Sequence, residues 1–261
     1  MRMHRASLTM SNTTPKVAAV GTSIEIVQYL KGAAPAGVTE IARAVGVSKS
    51  TAFDHLQTLL AAGLVVREGD DYRLGLWFLD LGEYVRQQTE LYRVGRPLVD
   101  ELSEATGEVA NMMIPEGGVG VYLYKAMGDN AVRHDTRAGM RIPLHTTAMG
   151  KAILAETAPE TVEAIVDEHG LEPMTDRTIT DRARLRRALK TIRERGYAIN
   201  EGERNSRLRC VAAPIVVEGQ VQGAISVSGP ETRMEDDGLT EEYAMKVLET
   251  ANVIEINMRH F

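Results

Sequence analysis

The chain has 261 residues, 44% hydrophobic and 25% charged, a balance and length that suggest two globular domains, each able to bury its own core. No stretch reaches the ~20 uninterrupted apolar residues of a membrane-spanning helix, and one cysteine, Cys210, excludes an internal disulfide and a cluster of cysteine metal ligands, which fits a cytoplasmic location. The net charge of -6 argues against a surface that binds nucleic acid everywhere, yet residues 1–75 hold 8 Lys and Arg against 6 Asp and Glu, which permits a local basic patch.

Met1 to Lys16, rich in Ser, Thr and Asn and without the apolar run of a secretory signal, reads as a flexible tail. Thr22 to Leu30 sets Ile24, Ile26, Val27 and Leu30 at helical spacing, and Gly32 to Gly37 breaks the pattern. TEIARAVG follows as a second helix, with Ile41, Ala42 and Val45 on one face and Gly46 as its stop. A third helix starts at the N-cap Ser48, lines Ala52, Leu56, Leu59 and Leu60 along one face, and ends at Gly63. Two short helices joined by a tight turn make a helix-turn-helix. LVVREGDDYRLG then reads as a hairpin, the wing.

Leu76 to Thr106 favours helix, with Pro97 expected to kink or divide it. Beyond Gly107, EVANMMI and VGVYLYKA read as strands joined across Pro115 to Gly118, and a short strand is expected near Val132. Helices are expected over His145 to Ala155, Pro159 to His169 and the basic stretch Thr180 to Arg195. Strands YAINEGE, LRCVAAPIVV and QVQGAISVS and a closing helix from about Leu239 to Met258 complete an α+β chain without internal repeats. The expected divisions are a tail over 1–16, a winged helix-turn-helix over 17–76, a linker helix over 77–92 and a second domain over 93–261.

The second element of a helix-turn-helix enters the major groove. With its leucines inward, the third helix turns Ser50, Thr51, Asp54, Gln57 and Thr58 outward, with Ser48 and Lys49 at its start and His55 beside Asp54. Hydroxyls and amides contact phosphates and base edges, Gln pairs with adenine and Asp accepts from cytosine. Arg67 and Arg73 in the hairpin add reach to the backbone or minor groove. A local charge of about +2 attracts DNA weakly, so two copies reading two half-sites, at least a dimer, are expected.

The motifs TEIARAVGVSKSTAFDHLQTLLAAGLV, YRLGLWFLDLG, LHTTAMGKAILA, ERGYAINEGE, LRCVAAPIV and GAISVSGPETRM, in this order, resemble the IclR family of bacterial and archaeal regulators. The resemblance runs from about Val17 to Phe261. It implies a winged helix-turn-helix, a linker helix that pairs between protomers and a GAF/profilin-like α/β effector-binding domain. It also implies a dimer or tetramer that represses or activates carbon-source genes. Asp54 stands where many relatives have Arg, and a carboxylate cannot replace guanidinium contacts, so the operator sequence does not transfer.

In LRCVAAPIV, Cys210, Ala212 and Pro214 share one sheet face, and in GAISVSG, Ser226 and Ser228 do. Small, weakly polar groups there leave room for a ligand, although a packed face or a buried, inert cysteine fits the pattern as well. Ala148 and Met149 fall in a first helical turn, whose free amides favour a carboxylate. The resemblance implies that Ala148, Met149, Asn200, Cys210, Ser226 and Ser228 line the effector site, with Asn200 replacing a frequent Asp and adding amide donors. A small organic or sugar acid is the expected effector.

His134 and His145 could approach this pocket, but no histidines show metal-ligand spacing, and GGVG at Gly117 to Gly120 lacks the following helix of a dinucleotide site. No metal, cofactor or enzymatic activity is expected. The competing readings are a second domain that only oligomerises and an enzyme fused to a DNA-binding head.

Overall fold

The computed structural model describes residues 16–33, 35–132, 135–234 and 237–260. The expected tail lies outside them except for Lys16, as does His134. The chain forms two compact units, one ending at Arg86 and one beginning at Gln87.

In the first unit, α1 (Ala18–Ala33) buries Ile26 and Leu30. Ile24 stays half exposed, against expectation, because two residues of helix turn it about 200° from Ile26. The helix also runs through Gly32, and Ala36–Gly37 (β1) forms a strand where only a loop was expected. Next, α2 (Val38–Val45) buries Ile41 and Ala42 and ends at Gly46, whose φ of 74° is the left-handed conformation a C-cap needs.

In α3 (Lys49–Ala61), Ser48 Oγ caps the first turn by accepting from the Thr51 N–H at 3.1 Å, and Ala52, Leu56 and Leu59 face inward. The wing is β2 (Val65–Glu68) against β3 (Asp71–Leu74), with β1 on the other side of β3. Ile26, Leu30, Ile41, Leu56, Val65 and Tyr72 are the centre of this core.

Two helices follow, α4 (Trp77–Gln88) and α5 (Glu90–Thr106). The break falls at Thr89, whose ψ of 114° is extended, and Pro97 lies inside α5. Proline costs a helix interior about 3 kcal/mol, but burial of Leu91, Val94, Val99 and Leu102 contributes about 1.5–3 kcal/mol each and keeps α5 intact.

The second unit hangs on an antiparallel sheet. Its strands are β4 (Val109–Glu116), β5 (Val119–Met127) and β6 (Arg141–Pro143). Pro115 sits in β4 rather than the turn, which Gly117 and Gly118 form with φ of 57° and 75°. Proline is tolerated there because β9 pairs with β4 only as far as Met113. Among the described residues no strand forms near Val132, which is half exposed, and the neighbouring residues 133–134 of that expectation lie outside them.

A 3-10 turn at Leu144–Thr146 precedes α6 (Ala148–Ala155), so the helix begins three residues later than expected, where Thr147 Oγ1 caps it through the Gly150 N–H at 2.9 Å. Then come α7 (Pro159–His169), α8 (Arg182–Arg195), capped by Asp181, and β7 (Ala198–Glu201). They are followed by β8 (Leu208–Val217), β9 (Gln220–Pro230), α9 (Glu231–Met234) and α10 (Asp237–Met258). No helix among the described residues is long and apolar enough to cross a membrane.

The sheet order is β6-β5-β4-β9-β8-β7. Alternation along β8 and β9 divides the core in two. Val211, Ala213, Ile215, Ile225 and Val227 pack with α5 and α10, while Ala212 and Cys210 turn to the face covered by α6 and α8.

Candidate functional sites

On the first unit, Lys49, Ser50, Thr51, Asp54 and Thr58 are exposed. The Ser48 hydroxyl is occupied by the cap and lies 2.9 Å from both Ser50 Oγ and Thr51 Oγ1, which fixes the first turn of α3 as a cluster of hydroxyls. Thr58 Oγ1 donates back to the Asp54 carbonyl at 2.9 Å.

Two residues expected on the outward face turn elsewhere. His55 lies only about 40° around the helix from Leu59, is half-buried, and its Nδ1 stands 2.8 Å from Ser23 Oγ of α1. Gln57 is half-buried, with Nε2 3.5 Å from the Tyr72 hydroxyl. In the wing, Arg67 donates to the Gly69 carbonyl at 2.7 Å and to Asp70 at 3.1 Å, and Arg73 to Glu68 at 2.5 Å and to the Leu74 carbonyl at 3.1 Å. Reasoning from the apolar face missed Phe53, which is 45% exposed on α3; its signal was an aromatic one step off the leucine stripe.

On the second unit, Ala148, Met149, Asn200, Cys210, Ser226 and Ser228 line one cavity of about 30 Å³ that opens to solvent. The amides of Ala148 and Met149 have no intrahelical acceptor. Gly150 brings this helix start against the preceding turn: a Cβ there would stand 2.0 Å from the Leu144 carbonyl oxygen.

Asn200 does not offer free amide donors. Its Nδ2 donates to the Thr146 carbonyl at 2.8 Å and to Glu203 Oε2 at 2.7 Å, and its Oδ1 accepts from the Glu203 N–H at 3.1 Å. The expectation that this residue adds donors for a ligand is therefore corrected. Glu203 in turn holds Lys151, whose Nζ donates to both carboxylate oxygens and to the Ile199 carbonyl at 2.9 Å.

Burial pushes the Lys151 amine down and the Glu203 carboxyl up, each opposed by the partner's charge. Sequence reasoning missed this pair, although a lysine within the wholly buried AMGKAILA helix was its signal.

Asn111 Nδ2 donates to Ser228 Oγ at 3.5 Å and Asn111 Oδ1 accepts from Thr136 Oγ1 at 3.4 Å. Burial pushes the Cys210 thiol up, with a hydrogen bond to Ser228 opposing, so the sulfur stays a neutral, weakly polar wall. Burial likewise raises the Tyr122 hydroxyl. His145 is buried outside the lining, with Nε2 3.1 Å from the Glu172 carbonyl oxygen, and desolvation pushes its pKa down. Among the described residues no group of three or more His, Cys, Asp or Glu could hold a metal ion.

Two family models match the chain: the IclR helix-turn-helix domain over residues 20–69 and the bacterial transcriptional regulator IclR C-terminal region over residues 83–256. The chain belongs to the IclR family of transcriptional regulators. It is 32% identical over 248 residues to a probable HTH-type transcriptional regulator ArcR of Halobacterium salinarum, covering 93% of this chain and 94% of that one. It is 34% identical over 223 residues to the HTH-type transcriptional regulator KdgR of Escherichia coli, covering 84% and 85%.

Among solved structures, the Thermotoga maritima IclR superposes with a TM-score of 0.78 at 29% identity, covering 92% of this chain and 98% of that one. An IclR homolog of Microbacterium hydrocarbonoxydans complexed with 4-hydroxybenzoate shares the fold at a TM-score of 0.81 and 23% identity, covering 93% and 100%. The IclR pattern joins a DNA-binding helix-turn-helix to an effector-binding C-terminal domain, and the relatives bearing it are named as regulators rather than enzymes.

Proposed function

We propose that this IclR-family regulator reads an operator with α3 and the wing and releases or engages it when a small organic or sugar acid occupies the cavity of the second unit. The observation that carries the reading is the cavity itself, in which all six expected lining residues meet at the start of α6, where the Ala148 and Met149 amides lack intrahelical acceptors. A domain that only oligomerises has no need of a polar cavity inside its sheet face. One neighbour's complex with an aromatic acid supports the same ligand class.

The proposed divisions are a head over 17–76 preceded by a tail, a linker over 77–92 and a sensor from 93 onward. Trp77, Leu81, Tyr84 and Val85 form an exposed stripe at helical spacing on α4, which buries none of its own residues. That stripe supports pairing of two linkers, and hence a dimer or tetramer of cytoplasmic regulators acting on genes of carbon-source use. Effector binding moves the heads by favouring one arrangement of the linkers over another.

The test is selection of genomic fragments by the full-length protein with and without candidate acids, followed by titration of the selected DNA. A shift of operator affinity on adding an acid supports the reading. Unchanged affinity at saturating ligand sinks the coupling, and equal binding to all DNA sinks the operator assignment.

A further inference from the structure

Arg204, four residues beyond Asn200, lines the same cavity. Its side chain is only 10% exposed. Nη2 donates to Asp135 Oδ2 at 2.7 Å and lies 3.9 Å from Met140 Sδ, while Nε is buried with no hydrogen-bond partner. Leaving a buried charged donor unmade is expensive, so this donor gains by meeting an oxygen brought into the cavity.

The surroundings say which kind. Among the described residues Arg204 is the one ionised side chain in the lining, whose other polar groups are the neutral Asn, Ser, Thr, Tyr and Cys side chains. No Asp or Glu among the described residues lines the cavity, and the first-turn amides of Ala148 and Met149 add partial positive charge. Arg209 Nε is also without a partner, but its cleft mixes Arg177, Arg184 and Arg209 with Asp176, Glu201, Glu203 and Glu231, so no net positive charge is left there for an anion.

We propose that Arg204 is the specificity-determining residue of the effector cavity, donating from Nε to an anionic oxygen of the ligand. The proposal rests on the reading of this cavity as the effector site and adds the residue that selects charge. Asp135, 65% exposed, holds the far side of the guanidinium and orients it.

The experiment is calorimetric titration of the full-length protein with glycolate, malate, gluconate and 4-hydroxybenzoate, each beside its neutral amide, repeated on Arg204→Gln, Arg204→Lys and Asp135→Asn. Acids are expected to bind the parent protein better than amides. Arg204→Gln should weaken the acids roughly 10- to 100-fold and the amides far less, with part of the acid binding recovered in Arg204→Lys. Asp135→Asn should cost the acids far less than Arg204→Gln does.

Acid binding unchanged in Arg204→Gln overturns the proposal, as does preference for amides, failure of every acid, or an equal loss in Asp135→Asn. The cavity reading fails separately: if Ser226→Leu, which fills the cavity, binds acids as the parent does, the ligand sits elsewhere whatever Arg204 does.

Discussion

The α3 surface and the cavity use polar side chains in opposite ways. On α3 the hydroxyls and Asp54 stand in water, the hydroxyls held by short-range bonds to their own turn, and under the proposed function they are the groups that meet a duplex. In the cavity unit, Asn200, Glu203 and Lys151 lock one another out of water, so the wall is shaped before any ligand enters. An exposed face tolerates substitution and loses binding, whereas a buried network loses the fold.

That contrast can be broken most strongly at Lys151. Lys151→Ala leaves Glu203 buried without its cation and should cost about 3–5 kcal/mol in urea unfolding, whereas the paired replacement Lys151→Met with Glu203→Leu should recover most of it. Equal losses in the single and paired variants would show that packing, not charge, matters there. Gly150→Ala comes next, at about 1–3 kcal/mol from overpacking against Leu144, with weaker ligand binding because the start of α6 must move. A variant as stable as the parent would show that this helix start has slack.

On the other unit, Ser48→Ala removes the α3 cap and should lower stability by about 1 kcal/mol, read in thermal melting. The smallest effect belongs to His145. Folded His145 stays neutral below the usual histidine pKa while the unfolded chain takes up a proton, so stability is lost as pH falls through that value toward the folded one. Between about pH 7 and 5 the parent should therefore lose stability faster than His145→Gln, and parallel curves would refute the assignment.

Much of this was legible in the sequence. Ser48, Gly46 and the leucines of α3 announced their helices because capping and periodicity are local. The faces of β8 and β9 were legible because alternation has a period of two. What escaped depended on neighbours distant in the chain. Nothing local says that His55 meets Ser23, that Asn200 spends its amide on Thr146 and Glu203, or that Arg204 is left with a free donor. Pro97 does not divide its helix, because a rule about one residue is outweighed by four buried neighbours on α5.

Cys210 is the chain's only cysteine and it lies in the cavity wall. Any thiol reagent therefore has a single place to react, and under the proposed function the rate at which this neutral thiol does so, slow already because of burial, falls further when a guest shields the sulfur. Such a reading would be free of background from other thiols.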